Sequence, residues 1–158
     1  MKKPYIICVE DQREVLSTLI KDLETFSKGF NIEGCECARE ARELLDTLDA
    51  SGETVLLIIC DHIMPSELGV DLLIALTQDA KYQHLSKILL TGQATHIDTI
   101  KAINEANIGN YIAKPWTKTF LINTVKTQLT LALLATGEDH TPWLTWLDQA
   151  ILYNHLRV

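Results

Sequence analysis

Val55-Leu-Leu-Ile-Ile-Cys60 is the longest unbroken apolar run of this 158-residue chain, and it stops abruptly at Asp61. Six residues cannot cross a bilayer, which takes about 20. With no polar residue interleaved, the run suits a strand covered on both faces. Tyr5–Val9 is a second run of the same kind, ending at Glu10-Asp11. Strands covered on both faces need helices on both sides of their sheet, so these two runs already favour an α/β architecture.

The intervening stretches supply those helices. From Gln12, apolar residues recur at Val15, Leu16, Leu19, Ile20, Leu23 and Phe26, with Gly29 as a stop. That is helical spacing. Phe30–Glu36 reads as a second strand. Ala38, Ala41, Leu44, Leu45 and Leu48 mark a second helix, closed by Ser51-Gly52. Leu68, Leu72, Leu73 and Leu76 mark a third. Ser86–Thr91 reads as a fourth strand, and Ile97, Ile100 and Ile103 as a fourth helix. Asn110–Ala113 is a short fifth strand, ended by Lys114-Pro115. Leu121, Val125, Leu129 and Ala132 mark a fifth helix. Five strand–helix pairs in alternation predict a doubly wound parallel sheet.

Ligands of such sheets bind beyond the carboxyl ends of the strands. Those ends carry Glu10-Asp11, Asp61, Thr91 and Lys114. Three carboxylates brought together repel one another, and a proton or a cation relieves them. Their hard oxygens suit Mg2+. An aspartate can act as nucleophile in phosphoryl transfer. A lysine and a hydroxyl can hold phosphoryl oxygens. Together the residues make a phosphoryl-accepting set. Taken singly, Asp61 could be a helix cap and Thr91 the start of a Thr-Gly-Gln turn.

The ordered set resembles the receiver domains of two-component response regulators, from about Pro4 to about Leu133. Glu10-Asp11 resembles the family's acidic pair. Asp61 in Asp61-His-Ile-Met-Pro65 resembles its phospho-accepting aspartate, and Lys114-Pro115 its lysine and cis-proline turn. The interval from Asp11 to Asp61 is long for the family, which implies extra residues around the second strand and helix. The resemblance implies a flavodoxin-like sheet of order 2-1-3-4-5, five flanking helices and one extra C-terminal helix. It implies that Asp61 takes a phosphoryl group from a histidine kinase. Mg2+ would be held by Asp11, Asp61, the backbone carbonyl of Ile63 and, partly through water, Glu10. Thr91 and Lys114 would contact the phosphoryl group. Thr91 and Tyr111 would switch the face formed by the fourth helix, fifth strand and fifth helix, although a strand tyrosine can equally be core. Ile63 stands two residues past Asp61, where the family often has a polar residue, and Gln93 is non-acidic. Both suggest a long-lived phosphoryl state.

The implied role is regulatory, with only self-phosphorylation and self-dephosphorylation chemistry. The implied partners are a sensor histidine kinase or phosphotransfer protein and a downstream protein. A phosphorylation-independent scaffold is the alternative. An aspartyl-phosphate phosphatase is disfavoured, because that chemistry wants an acid where Ile63 stands. Composition agrees with a signalling partner. The net charge of −7 lacks the basic surplus of a nucleic-acid or anionic-lipid binder. Lys2-Lys3 and the short run after them do not make a signal peptide. Cys8, Cys35, Cys37 and Cys60 form no CxxC and read as free thiols. The expected location is cytoplasmic.

The sequence divides into a receiver over residues 1–135 and an extension over 136–158. Thr141-Pro142 reads as the start of a helix carrying Trp143, Leu144, Trp146, Leu147, Ile151, Leu152, Tyr153 and Leu156. It is a sixth packed helix, a dimer contact or a linker. His62 reads as an exposed loop histidine, and Trp116 and Met64 as packing residues.

Overall fold

The computed structural model describes residues 2–92 and 104–156. The strands are β1 (Tyr5–Val9), β2 (Asn31–Cys35), β3 (Val55–Asp61), β4 (Ser86–Thr91) and β5 (Asn110–Ala113). They form one sheet in the order β2-β1-β3-β4-β5, and every pairing is parallel. The helices are α1 (Arg13–Asp22), α2 (Ala38–Ala50), α3 (Gly69–Thr77), α4 (Lys118–Thr136) and α5 (Gln149–Leu156). This is the parallel sheet that the alternation predicts, in the flavodoxin-like order that the family resemblance implies. The fourth helix read around Ile97, Ile100 and Ile103 lies outside the described residues, as does Gln93.

Side chains of β3 alternate between two cores. Leu57 and Ile59 face the cluster shared with α1 and α4, whereas Ile58 and Cys60 face the one shared with α2 and α3. All seven residues of β3 are buried. A central strand in a doubly covered sheet therefore reads as unbroken apolar sequence. Buried Ala38, Ala41, Leu45 and Leu48 form the inner stripe of α2. Thr117 caps α4 by accepting a hydrogen bond from the Phe120 N–H at 3.2 Å. Gly137, with φ +74°, ends that helix. The four cysteines are free thiols; Cys8, Cys35 and Cys60 are buried. Burial pushes the Cys35 thiol up to about 12, so these groups pack as small apolar side chains. No helix among the described residues is long and apolar enough to cross a membrane.

Two segments differ from the periodicity reading. α1 stops at Asp22, and its apolar pattern continues through a 3-10 turn at Glu24–Phe26. The expected continuous C-terminal helix is broken into a 3-10 segment, Thr141–Trp146, and α5. The break is at Asp148. Its Oδ1 accepts from the N–H groups of Ala150 and Ile151 at 3.0 and 3.2 Å, capping α5. Its own N–H donates to Thr130 Oγ1 at 2.8 Å, tying the tail to the middle of α4.

The break explains why apolar residues fall on more than one face of a supposed single helix. Trp143, Leu147 and Leu152 enter the core shared with α1 and α4. The Trp143 indole N–H donates to the Gly29 carbonyl and that of Trp146 to the Thr25 carbonyl, each at 3.0 Å. Trp146 also meets Phe30 edge-on, with ring centroids 5.9 Å apart. A Cβ on Gly29 would lie 2.6 Å from a Trp146 ring carbon, so this close approach requires glycine. Leu144, Tyr153 and Leu156 stay exposed.

Candidate functional site

The parallel register brings the four strand-end groups to one edge of the sheet. Asp61, the last residue of β3, pairs with Leu90. Thr91, the last of β4, pairs with Ala113, and Lys114 follows immediately. Glu10 follows β1, where its N–H donates to the Cys35 carbonyl at 3.0 Å. The Lys114 N–H donates to the Thr91 carbonyl at 3.1 Å. The Lys114–Pro115 peptide is cis, as the family pattern implies.

Lys114 organises the carboxylates. Its Nζ lies 2.6 Å from Glu10 Oε2 and 3.0 Å from Asp61 Oδ1. Glu10 is fully buried, and Asp61 is 4% exposed. Carboxylate oxygens of Glu10, Asp11 and Asp61 all lie within 4.8 Å of one another. Asp11, Gln12, Asp61, Ile63, Thr91 and Lys114 line a cleft of about 350 Å³. Thr91 is buried, whereas Ile63, at 55% exposure, stands at the mouth.

The electrostatics are those of an undercompensated cluster. Burial raises the Glu10 pKa above the ordinary carboxylate range, against the hydrogen bonds from Lys114 and the Gln12 N–H. Burial likewise raises Asp61; Lys114 opposes the shift and Asp11 adds to it. Burial also works against the Lys114 ammonium, but its bonds to Glu10 and Asp61 outweigh that and hold its pKa above the ordinary value. One lysine facing three carboxylates leaves negative charge over, and a divalent cation would relieve it. The oxygen-only donor set and the open cleft fit Mg2+, which uses few carboxylates and keeps several waters.

The structure therefore places Glu10, Asp11, Asp61, Ile63, Thr91 and Lys114 together, as the strand-end reading requires. Tyr111 lies on β5 at 37% exposure, so it is half-exposed rather than core. His62 corrects the sequence reading: it is 1% exposed. Its backbone N–H donates to the Leu90 carbonyl at 3.2 Å, which holds the start of the loop against β4. Met64 is buried, as expected. The Trp116 indole N–H donates to Asp22 Oδ2 at 2.9 Å, fastening the Lys114 loop to the end of α1. That contact spans 94 residues, and no local pattern announces it.

The response regulator receiver domain family matches residues 6–126. The chain is 30% identical to the hydrogenase transcriptional regulatory protein HoxA of Cupriavidus necator over 79% of its length, but spans only 24% of that protein. It is 30% identical to the transcriptional regulatory protein CpxR of Escherichia coli, covering 77% of this chain and 47% of CpxR. It is also 30% identical to the chemotaxis protein CheY1 of Helicobacter pylori, covering 70% of this chain and 86% of that one. The signal receiver domain of an HD domain-containing protein from Pseudomonas fluorescens superposes with a TM-score of 0.74 at 28% identity, over 84% of this chain and 99% of that one.

Proposed function

This chain belongs to the response regulator receiver domain family, and from that premise we propose that it is a phosphorylation switch of a two-component system. The observation that carries the reading is the bridge from Lys114 Nζ to Glu10 and Asp61, 2.6 and 3.0 Å long, inside a buried carboxylate cluster. Asp61 is the phospho-acceptor. One of its carboxylate oxygens attacks the phosphorus of a phosphohistidine; the P–N bond breaks and imidazole leaves, giving an acyl phosphate. Mg2+ would be held by Asp11, Asp61, the Ile63 carbonyl and, partly through water, Glu10. When bound, it supplies positive charge that lowers the repulsion between carboxylate and phosphoryl oxygens.

Lys114 keeps its charge while paired to Asp61 and holds a phosphoryl oxygen once the acyl phosphate forms. Thr91 presents its hydroxyl to another oxygen. Tyr111, half-exposed on the neighbouring strand, follows the Thr91 movement, and the face around β5 and α4 changes for a downstream protein. The switch is a population shift biased by the charge added at Asp61. An interaction scaffold has no need of this buried cluster, whose burial is unfavourable without a ligand. The kinase or phosphotransfer protein and the downstream protein are the partners of this reading. The proposed location is the cytoplasm, where a sensor kinase presents its phosphohistidine.

The test is intact mass after exposure to Mg2+ and a small phosphodonor. One added phosphoryl group that needs Mg2+ supports the switch; no adduct supports the scaffold.

The lifetime of that adduct is a separate expectation. Ile63 at the cleft mouth offers no side-chain hydrogen bond to orient an attacking water. The acyl phosphate should persist for minutes or longer, and Ile63→Asn should shorten its life. Loss within seconds in the wild-type chain, followed by intact mass, counts against this.

The proposed division is a receiver over 1–135 and an extension over 136–158 that docks on the receiver core. Leu144, Tyr153 and Leu156 would serve a dimer contact. Light scattering over a range of concentrations checks it, a constant monomer mass counting against.

A further inference from the structure

The loop His62–Leu68, between Asp61 and α3, is pinned at its ends by the backbone. The His62 N–H is bonded to the Leu90 carbonyl, and the Gly69 N–H donates to the His62 carbonyl at 2.7 Å. A Cβ on Gly69 would fall 1.9 Å from the Asp61 carbonyl oxygen, so α3 starts directly against the aspartate's own backbone. Between these pins, Ser66 holds a φ of +73°. Such a conformation in a residue with a side chain is costly and persists only where the surroundings impose it. Met64 anchors the middle of the loop in the core shared with α2 and α3, whereas Ile63, at 55% exposure, imposes little.

Glu67, next to Ser66 in the loop, meets a partner on α2. The Arg42 guanidinium on α2 donates through Nε to Glu67 Oε1 at 3.2 Å and through Nη2 to Oε2 at 2.5 Å. A two-point bond between planar groups fixes orientation as well as distance. The side chains are 42% and 27% exposed. An ion pair that open contributes little to global stability, so its consequence is local.

We infer that Arg42 and Glu67 form a positioning clamp that sets the loop carrying the Ile63 carbonyl and thereby tunes the affinity of the acidic cluster for a divalent cation. The inference rests on the receiver reading above. Neither residue touches the cation: Glu67 is outside the carboxylate cluster. They act through the backbone between Glu67 and Ile63, as groups behind metal ligands commonly act indirectly.

The test uses the full unphosphorylated chain and MgCl2 alone, with Kd read by isothermal titration calorimetry. Arg42→Met and Glu67→Gln should each raise Kd by about threefold to tenfold, less than the roughly 10–100-fold typical of groups bonded directly to metal ligands, because the clamp acts through the loop backbone. The reversed pair, Arg42→Glu with Glu67→Arg, should bring Kd back to within about twofold of wild type, since it restores a two-point ion pair. Melting in EDTA should stay near wild type in both single variants, which separates positioning from folding. Wild-type Kd in either single variant, or a reversed pair as weak as the singles, overturns the clamp. A wild-type chain that binds no Mg2+ overturns the receiver chemistry itself.

Discussion

Asp61→Asn should gain no phosphoryl group under conditions where the wild-type chain gains one, and without metal it should melt higher than wild type. The first effect follows from the loss of the attacking carboxylate. An adduct that survives in Asp61→Asn would move the acceptor elsewhere. The second effect follows from the cluster's charge. Burial and Asp11 raise the Asp61 pKa despite Lys114, so the native chain binds that proton more tightly than the unfolded chain does. Metal-free stability therefore falls as pH rises from the ordinary carboxylate value through the raised one. At neutral pH the ionised Asp61 is a net penalty, which asparagine removes while its Oδ1 still accepts from Lys114. Relief of about 1 kcal/mol would raise Tm by about 3 °C in a chain of this size. The advantage should vanish below the ordinary carboxylate range, where Asp61 is protonated in both states. Mg2+ should stabilise wild type more than the variant, since it binds the native cluster and not the unfolded chain. Melts in EDTA and in Mg2+ at two pH values check all of this, and a lower Tm for the variant in EDTA at neutral pH contradicts the electrostatic account.

Trp143→Ala should be the most destabilising substitution in the tail. The indole is 7% exposed, shares a core with Leu133, Leu147 and Leu152, and donates to the Gly29 carbonyl. Truncating a buried tryptophan costs about 3–5 kcal/mol, a large part of the roughly 5–15 kcal/mol that stabilises a domain. The Tm should drop by about 9–15 °C. Leu156→Ala is the control: at 71% exposure, it should change stability by less than about 0.5 kcal/mol. Thermal or urea melts of the two variants decide the matter. If they match, the tail is only loosely applied to the receiver, and its apolar residues are kept for another surface.

Much of the site was legible because a parallel sheet obeys a simple rule. A strand covered on both faces must be apolar along its length, so the residue that ends the run is conspicuous. Glu10-Asp11, Asp61 and Thr91 each stand out that way, and strand order then brings them to one edge. Lys114 was legible from its place before Pro115. His62 was misread because nothing local distinguishes a histidine turned inward from one left in solvent; only the packed fold buries it. The tail was misread as one helix because apolar spacing does not register that Asp148 can end one segment and cap the next.

The amino-acid sequence by itself determined the alternation of five strands with helices, the parallel sheet and the identity of the residues at its carboxyl edge. These follow from short-range patterns: period, breaker and abrupt change of polarity. Only the tertiary structure decided that Lys114 spans both Glu10 and Asp61, that Trp116 bonds Asp22 and that Arg42 grips Glu67. It also decided that Trp143 and Trp146 close over Gly29 and Thr25. Each of these joins groups tens of residues apart along the chain. Such pairs carry no periodic signal, and their geometry exists only once the sheet and helices have been packed.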